Sequence, residues 1–238
     1  ECCDKTTEEV VGLLLELDTE NFAAKEVDKQ GNLCIHSLCE KNVPNAKLIM
    51  MLADIYPEGL AIKDRDGNLP IHSAIERGDK MPVEVISKLL NGFPGATKKH
   101  DKDKNLPLHC AFHCLQSHLV EVASLLVSVD GESVAEPSKQ LGLLLHWACS
   151  NLKPVELIRA MVQANPAAVG MKDKGGNTVL HIACELGDRC PAGVIEVLAR
   201  AYPECVKIKD KDGNTPLHSA AECCDKTTEE VVGLLLEL

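Results

Sequence analysis

One six-residue pattern returns six times along the chain at almost constant intervals. It reads GNLCIH ending at His36, GNLPIH at His72, KNLPLH at His109, LGLLLH at His146, GNTVLH at His181 and GNTPLH at His218, with spacings of 36, 37, 37, 35 and 37 residues. A fixed period of this length marks a chain made of one small supersecondary unit used repeatedly, each unit completing the apolar face of the next. Composition agrees with thin layers rather than one large core. Hydrophobic residues make up 45% of the chain but aromatics only 3%, and large rings normally supply much of the buried area of a single-core domain.

Each unit follows one plan. It opens with a charged turn, KDRDGN at Lys63 to Asn68 or KDKDGN at Lys209 to Asn214. The Asp-Gly and Gly-Asn steps suit the positive φ of a tight turn. A short first helix follows. In GNTPLHSAAE, Thr215 is placed to cap it and Pro216 to fill its first position. After a Gly or polar break such as ERGDKMP, a second helix starts, with Pro44, Pro82, Pro154 or Pro191 expected in its first turn. Val83, Ile86, Leu89 and Leu90 fall at helical spacing. These helices are expected to end before Pro57, Pro94, Pro166 and Pro203.

The segment DxxGNTPLHxA, followed by a second helix with a Leu-Leu pair, resembles the ankyrin repeat. The match is close at Asp210 to Ala220 and at Asp64 to Ala74, looser at Asp28 to Leu38 and Asp173 to Ala183, and weak at Ser138 to Ala148. The resemblance implies an all-α fold, an ankyrin-type helix-turn-helix solenoid with projecting β-turns. The expected divisions are a partial repeat at 1–27, repeats at 28–63, 64–100 and 101–137, a degenerate repeat at 138–172, a repeat at 173–209, and a repeat lacking its final loop at 210–238, all in one continuous solenoid domain. The units exceed the family's period of about 33 residues. The excess lies after the second helix, in stretches such as YPEGLAIK and YPECVKIK.

A separate feature is an identity between two distant segments. Residues 1–17 and 222–238 both read ECCDKTTEEVVGLLLEL. The internal units share a pattern but not a letter-for-letter sequence, so this identity requires its own cause. Three fit: a longer array in which a 221-residue block recurs, an engineered chain with matched ends, or an oligomer in which one copy of the segment replaces the other. The first is the reading preferred here, with uncapped solenoid ends as the sites of self-association.

Six histidines in one slot invite a metal or acid–base reading. Their constant position favours a structural one, because a ring with one donor and one acceptor satisfies turn groups that lack partners. The ankyrin resemblance implies this role for His36, His72, His109, His146, His181 and His218. His109, Cys110, His113 and Cys114 form the one metal-like run, at i, i+4 spacing on a helix. A zinc site needs four converging ligands, and the expectation is no metal and no cofactor. The same resemblance places a concave partner-binding face on the turns and the exposed side of the first helices. Repeat position maps Glu40, Lys41, Arg65, Glu76, Arg77, Lys102, Lys174, Glu185 and Lys211 to it, with Trp147, the one tryptophan, as a candidate anchor or a packing residue. The alternative is a solvated charged rim without a specific partner.

Net charge is −11, which argues against a phosphate backbone as partner. No apolar run reaches the length of a membrane span. P-loop, GxGxxG, HExxH and GxSxG motifs are absent, so an enzyme is not expected. The twelve cysteines follow no disulfide or zinc framework. Several, Cys149 and Cys184 among them, occupy one helical slot as small buried hydrophobes, which suits a reducing compartment, although an extracellular fibre also fits the composition. Two functions follow: an extended structural assembly or filament, and an adaptor that grips a protein partner.

Overall fold

The computed structural model describes residues 10, 12, 13, 22–29, 31–222 and 233. Most of the identical segments, the pairs Cys2-Cys3 and Cys223-Cys224, and most of the partial repeat at 1–27 therefore lie outside the described residues. The chain divides into two compact units, residues 1–126 and 127–238.

In the first unit, a short α1 (Phe22–Lys25) precedes three helix pairs: α2 (Cys34–Cys39) with α3 (Ala46–Ile55), α4 (Pro70–Glu76) with α5 (Val83–Gly92), and α6 (Pro107–Cys114) with α7 (Leu119–Val129), which reaches the junction. The second unit holds α8 (Leu144–Ser150) with α9 (Val155–Ala164), α10 (Val179–Glu185) with α11 (Ala192–Ala201), and α12 (Pro216–Glu222). Within each unit, first helices pack on first helices and second on second: α2 on α4 and α4 on α6, α3 on α5, then α8 on α10, α10 on α12, and α9 on α11. The described residues contain no strand, only two isolated β-bridges, Val27 to Leu33 and Ser138 to Gly142. Each unit is thus a stack of helix pairs with projecting turns, as the period requires.

The apolar spacing explains the layers. In α5, Val85, Ile86, Leu89 and Leu90 are buried while Glu84 is exposed, so one stripe faces the partner helix and its neighbours. Leu69, Leu106 and Leu108, in or beside the recurring motif, are also buried. Each such side chain contributes about 1.5–3 kcal/mol by leaving water.

Proline punctuates both helices, at different positions. Pro70, Pro107 and Pro216 open first helices, where a missing N–H costs nothing and φ is already helical. The prolines of the second helices sit further out than expected. Pro82, Pro154 and Pro191 are N-cap residues with extended ψ of 140°, 142° and 131°. Pro44 lies outside Asn45, whose Oδ1 accepts the Leu48 N–H at 3.1 Å. They hold the chain extended before the helix begins rather than filling its first turn. At the other end, Tyr56, Phe93, Asn165 and Tyr202 are C-caps with non-helical ψ of 74°, 80°, 86° and 79° before Pro57, Pro94, Pro166 and Pro203, because a residue preceding proline avoids the helical region. The additional residues that lengthen the period form 3₁₀ turns, Pro57–Ala61, Pro94–Lys98, Pro166–Gly170 and Pro203–Lys207.

Candidate partner-binding surface

The turn is built around an aspartate. Asp64 Oδ1 accepts the Asn68 N–H at 2.8 Å, and Asp101, Asp173 and Asp210 do the same for Asn105, Asn177 and Asn214 at 2.7, 2.9 and 2.8 Å. A positive-φ residue completes the turn: Gly31 (80°), Gly67 (79°), Gly176 (86°) and Gly213 (87°). Lys104 stands in this slot in the third repeat, at φ 66°. In the degenerate repeat, Ser138 replaces the aspartate. It exchanges two backbone hydrogen bonds with Gly142 at 2.9 and 3.0 Å, and the positive-φ glycine, Gly142 at 70°, stands one position later than in the other repeats.

The histidines tie each turn to its helix. Nδ1 accepts the backbone N–H three residues upstream, from Leu33 to His36 (3.1 Å), Leu69 to His72 (3.1 Å), Leu106 to His109 (3.0 Å), Thr178 to His181 (3.1 Å) and Thr215 to His218 (3.2 Å). The Thr215 hydroxyl, expected to cap the helix, meets the same His218 Nδ1 at 2.8 Å. An accepting Nδ1 leaves the proton on Nε2. That proton goes to a carbonyl of the next turn: from His36 to Ile62 (3.2 Å), His72 to Lys99 (3.0 Å), His146 to Asn177 (3.1 Å) and His181 to Asn214 (3.1 Å). Each of these rings therefore joins two successive repeats. Burial holds the imidazoles of His36 and His146 below the ordinary value and that of His72 at about 4. His146 Nδ1 alone in the series is a buried atom without a partner.

The exposed end of the first helix carries the candidate surface. Glu40, Lys41 and Glu76 are exposed, as are Arg65 and Lys102 on the turns. In the second unit Lys174, Glu185 and Lys211 are exposed and Trp147 is half-buried. Several cations engage the chain itself. Arg77 donates to the Glu40 carbonyl at 2.9 Å, Lys102 pairs with Asp66 at 3.1 Å, Lys172 reaches the Lys209 carbonyl at 2.7 Å, and Lys211 reaches the Lys174 carbonyl. The glutamates instead face acids. The carboxyl of Glu40 is raised by burial and by Asp64, and that of Glu76 by burial and by Asp101. Burial also raises Glu185, which His181 opposes and Asp173 and Asp210 reinforce. Trp147 lies under the Lys153 ammonium, 5.1 Å from the ring centroid. Beside it Leu152 is 46% exposed at φ 51°.

The metal-like run on α6 is divided between environments. His109 is buried in the structural slot, while His113 is exposed and Cys114 half-buried. The groups that converge are Glu76, Asp101 and Cys110, each offering an atom within 4.8 Å of the others. Glu76 comes from the preceding repeat. The Cys110 thiol donates to Asp101 Oδ2 at 3.8 Å, and burial with the adjacent carboxylates pushes that thiol up, so it is held protonated.

Two further features were not read from the sequence. The Asp79 carboxylate accepts the backbone N–H groups of Gln116 (3.1 Å), Ser117 (3.0 Å) and His118 (3.4 Å) at the entry to α7. The Ser117 N–H first, and the other two with it, hold the carboxyl at about 2. The repeated Gly-Asp of ERGDKMP and ELGDRCP was the available signal. In the second unit, the side chains of Cys149 and Cys190 interact, which raises the Cys149 thiol and lowers that of Cys190. They lie 41 positions apart, so no local spacing reveals them.

Residues 145–238 match the family model of ankyrin repeats, in three copies. No curated protein matches the sequence. Among solved structures, the ankyrin repeat domain of Bcl-3, a member of the IkappaB family, is 17% identical with a TM-score of 0.65, the match covering 94% of this chain and 91% of that one. The ankyrin repeat protein EF0377 is 14% identical with a TM-score of 0.62, covering 89% and 99%. A chain in the complex of the predatory endopeptidase Bd0816 from Bdellovibrio bacteriovorus with immunity protein Bd3460 is 17% identical with a TM-score of 0.59, covering 87% and 98%. Ankyrin repeats generally mediate protein–protein interaction, and no catalytic family is indicated. No helix among the described residues is long and apolar enough to cross a membrane. Residues 145–238 thus match ankyrin repeats, and the described residues share the fold of ankyrin-repeat structures.

Proposed function

We propose that the chain is a non-enzymatic protein-binding scaffold that takes a basic polypeptide segment on the side formed by its turns and the ends of its first helices. The supporting observation is the electrostatic pattern of that side. In the first unit, burial and then the turn aspartates Asp64 and Asp101 raise the carboxyls of Glu40 and Glu76, while Arg77 and Lys102 are engaged within the chain. A Lys or Arg side chain laid along this row relieves the repulsion between like charges, and the net charge of −11 steers such a segment toward it. The test is binding of a Lys/Arg-rich peptide, followed by fluorescence anisotropy. Glu40→Lys with Glu76→Lys is expected to weaken binding at least about tenfold, whereas Glu84→Lys, on the exposed side of α5, leaves it nearly unchanged. Equal loss from both variants rejects this face.

A second reading, an extended assembly, rests on the identity of residues 1–17 with 222–238. Electron microscopy of native material separates the two: long fibres support assembly, and discrete particles support the adaptor.

A further inference from the structure

We infer that Glu76, Asp101 and Cys110 form a binding site for a thiophilic divalent cation of the Zn²⁺ class, at the junction of two successive repeats in the first unit. Glu76 is the last residue of α4, Cys110 lies within α6, and Asp101 opens the turn that precedes α6. One ligand atom from each lies within 4.8 Å of the other two, and Cys110 Sγ is 3.8 Å from Asp101 Oδ2. In a tetrahedral zinc site, bonds of about 2.3 Å to sulfur and about 2.1 Å to oxygen put those two ligands about 3.6 Å apart. The Asp101–Cys110 pair already has nearly that separation, and both are buried, at 9% and 5% exposure. The remaining adjustment falls to Glu76, the exposed member. Asn105 fixes the Asp101 carboxylate, its backbone N–H donating to Oδ1 at 2.7 Å and its side-chain amide to Oδ2 at 3.3 Å. Outer contacts of this kind orient a metal ligand.

Two further observations single out this junction. Equivalent positions at other junctions hold Glu40, Asp64 and Ser73, or Glu185, Asp210 and Ser219. The acid pair recurs with the repeat, but here a thiol stands where those junctions carry serine. In addition, Ser73 lies one helical turn before Glu76, on the same side of α4. It is 2% exposed, and its Oγ has no hydrogen-bond partner. A cation with three protein ligands keeps a fourth position for water, and the Ser73 hydroxyl is the unsatisfied group on that side of the helix. Binding exchanges a proton for the cation: the Cys110 S–H bond breaks, sulfur bonds to the metal, and the proton leaves to solvent. Burial first, then Asp101 and Glu76, push that thiol up, and a dication reverses the influence of both carboxylates. The neighbouring cations are committed elsewhere, Arg77 to the Glu40 carbonyl and Lys102 to Asp66. The soft sulfur favours Zn²⁺ or Cd²⁺ over Mg²⁺.

The reduced, metal-stripped full chain is titrated with Cd²⁺ without any peptide, and the ultraviolet thiolate-to-cadmium charge-transfer band is followed. Other cysteines add to this band, so the readout is the component that Cys110→Ser removes. Ser37, Ser73 and Ser219 fill the same slot in other repeats, so this variant is expected to keep the fold, as circular dichroism checks. Glu76→Gln retains the thiol and is expected to weaken that component at least about tenfold, since even outer contacts of a metal site are worth about 10–100-fold. Glu84→Gln, on α5, leaves it unchanged. One displaced proton makes the affinity rise about tenfold per pH unit between about pH 6 and pH 8, and excess Mg²⁺ does not displace Cd²⁺. A band unaltered by Cys110→Ser overturns the inference. So does Glu76→Gln binding Cd²⁺ as the natural chain does, which leaves a thiol acting alone, or equal weakening by Glu76→Gln and Glu84→Gln, which leaves only net charge.

Discussion

At the scale of single residues, the recurring histidine is a joint between repeats, and its chemistry makes the fold sensitive to acid. His72 has a folded value of about 4 against about 6.5 for the unfolded chain. The unfolded state thus binds the proton first as pH falls. The stabilisation is fully present above about pH 6.5 and is lost on the way down to about pH 4, amounting to roughly 3 kcal/mol. His36 and His146 act in the same direction. Urea midpoints are therefore expected to fall between pH 7 and pH 5, with a flatter dependence in His72→Gln. A midpoint that does not move across this window rules the joint out as the acid-sensitive element. Lys104 poses a different residue-scale problem, because its turn slot is glycine in four other repeats. Left-handed φ costs an ordinary residue about 1–2 kcal/mol, and a new glycine costs about 0.4–1 kcal/mol in the unfolded chain. Lys104→Gly is expected to stabilise the protein by about 0.5–1 kcal/mol in the same assay; a loss of stability contradicts the strain.

Among elements, the entry to α7 depends on a side chain from the preceding repeat. Three successive N–H groups, at residues 116–118, converge on the Asp79 carboxylate, the arrangement of an anion nest. The carboxylate is exposed, so solvent limits the gain, and Asp79→Ala is expected to cost about 1 kcal/mol, in the lower part of the range for capping residues. Faster amide exchange at residues 116–118 is the local readout, and unchanged exchange there denies the cap. Because the folded value of about 2 lies below the ordinary carboxyl, this contribution persists above about pH 4 and disappears as pH falls through about 2. The prolines work at this scale too. Pro82, Pro154 and Pro191 fix an extended N-cap, and Pro94, Pro166 and Pro203 force a non-helical residue before them, so α5, α9 and α11 are bounded by proline at both ends.

On the scale of the whole chain, 36 acidic residues against 25 Lys and Arg set the long-range field, and the acids of the turn side focus it. Fields of this kind act mainly on encounter rate and are screened within a Debye length of about 8–10 Å near physiological salt. Affinity for the Lys/Arg-rich peptide is therefore expected to fall roughly tenfold between low and moderately high salt, as checked by anisotropy titrations. Salt-independent binding would instead point to an apolar anchor such as Trp147 with Leu152.

The period, the turn chemistry and the apolar stripes lie within single repeats, so the helices, the Asp-x-x-Gly-Asn turns and the structural histidines were determined by the sequence itself. These features depend on neighbours three to five residues away, and local spacing specifies them. The departures have equally local causes: Ser138 replaces the turn aspartate and shifts the positive-φ glycine by one position, and an extended ψ places Pro82, Pro154 and Pro191 outside the helices they precede. What tertiary structure decided are the contacts between repeats. Glu76 meets Asp101 and Cys110 rather than the His and Cys residues of one helix meeting each other. Asp79 finds backbone 37 to 39 residues away, and Cys149 finds Cys190. Stacking sets the register between one layer and the next, and no spacing within a layer encodes which side chains that register brings together.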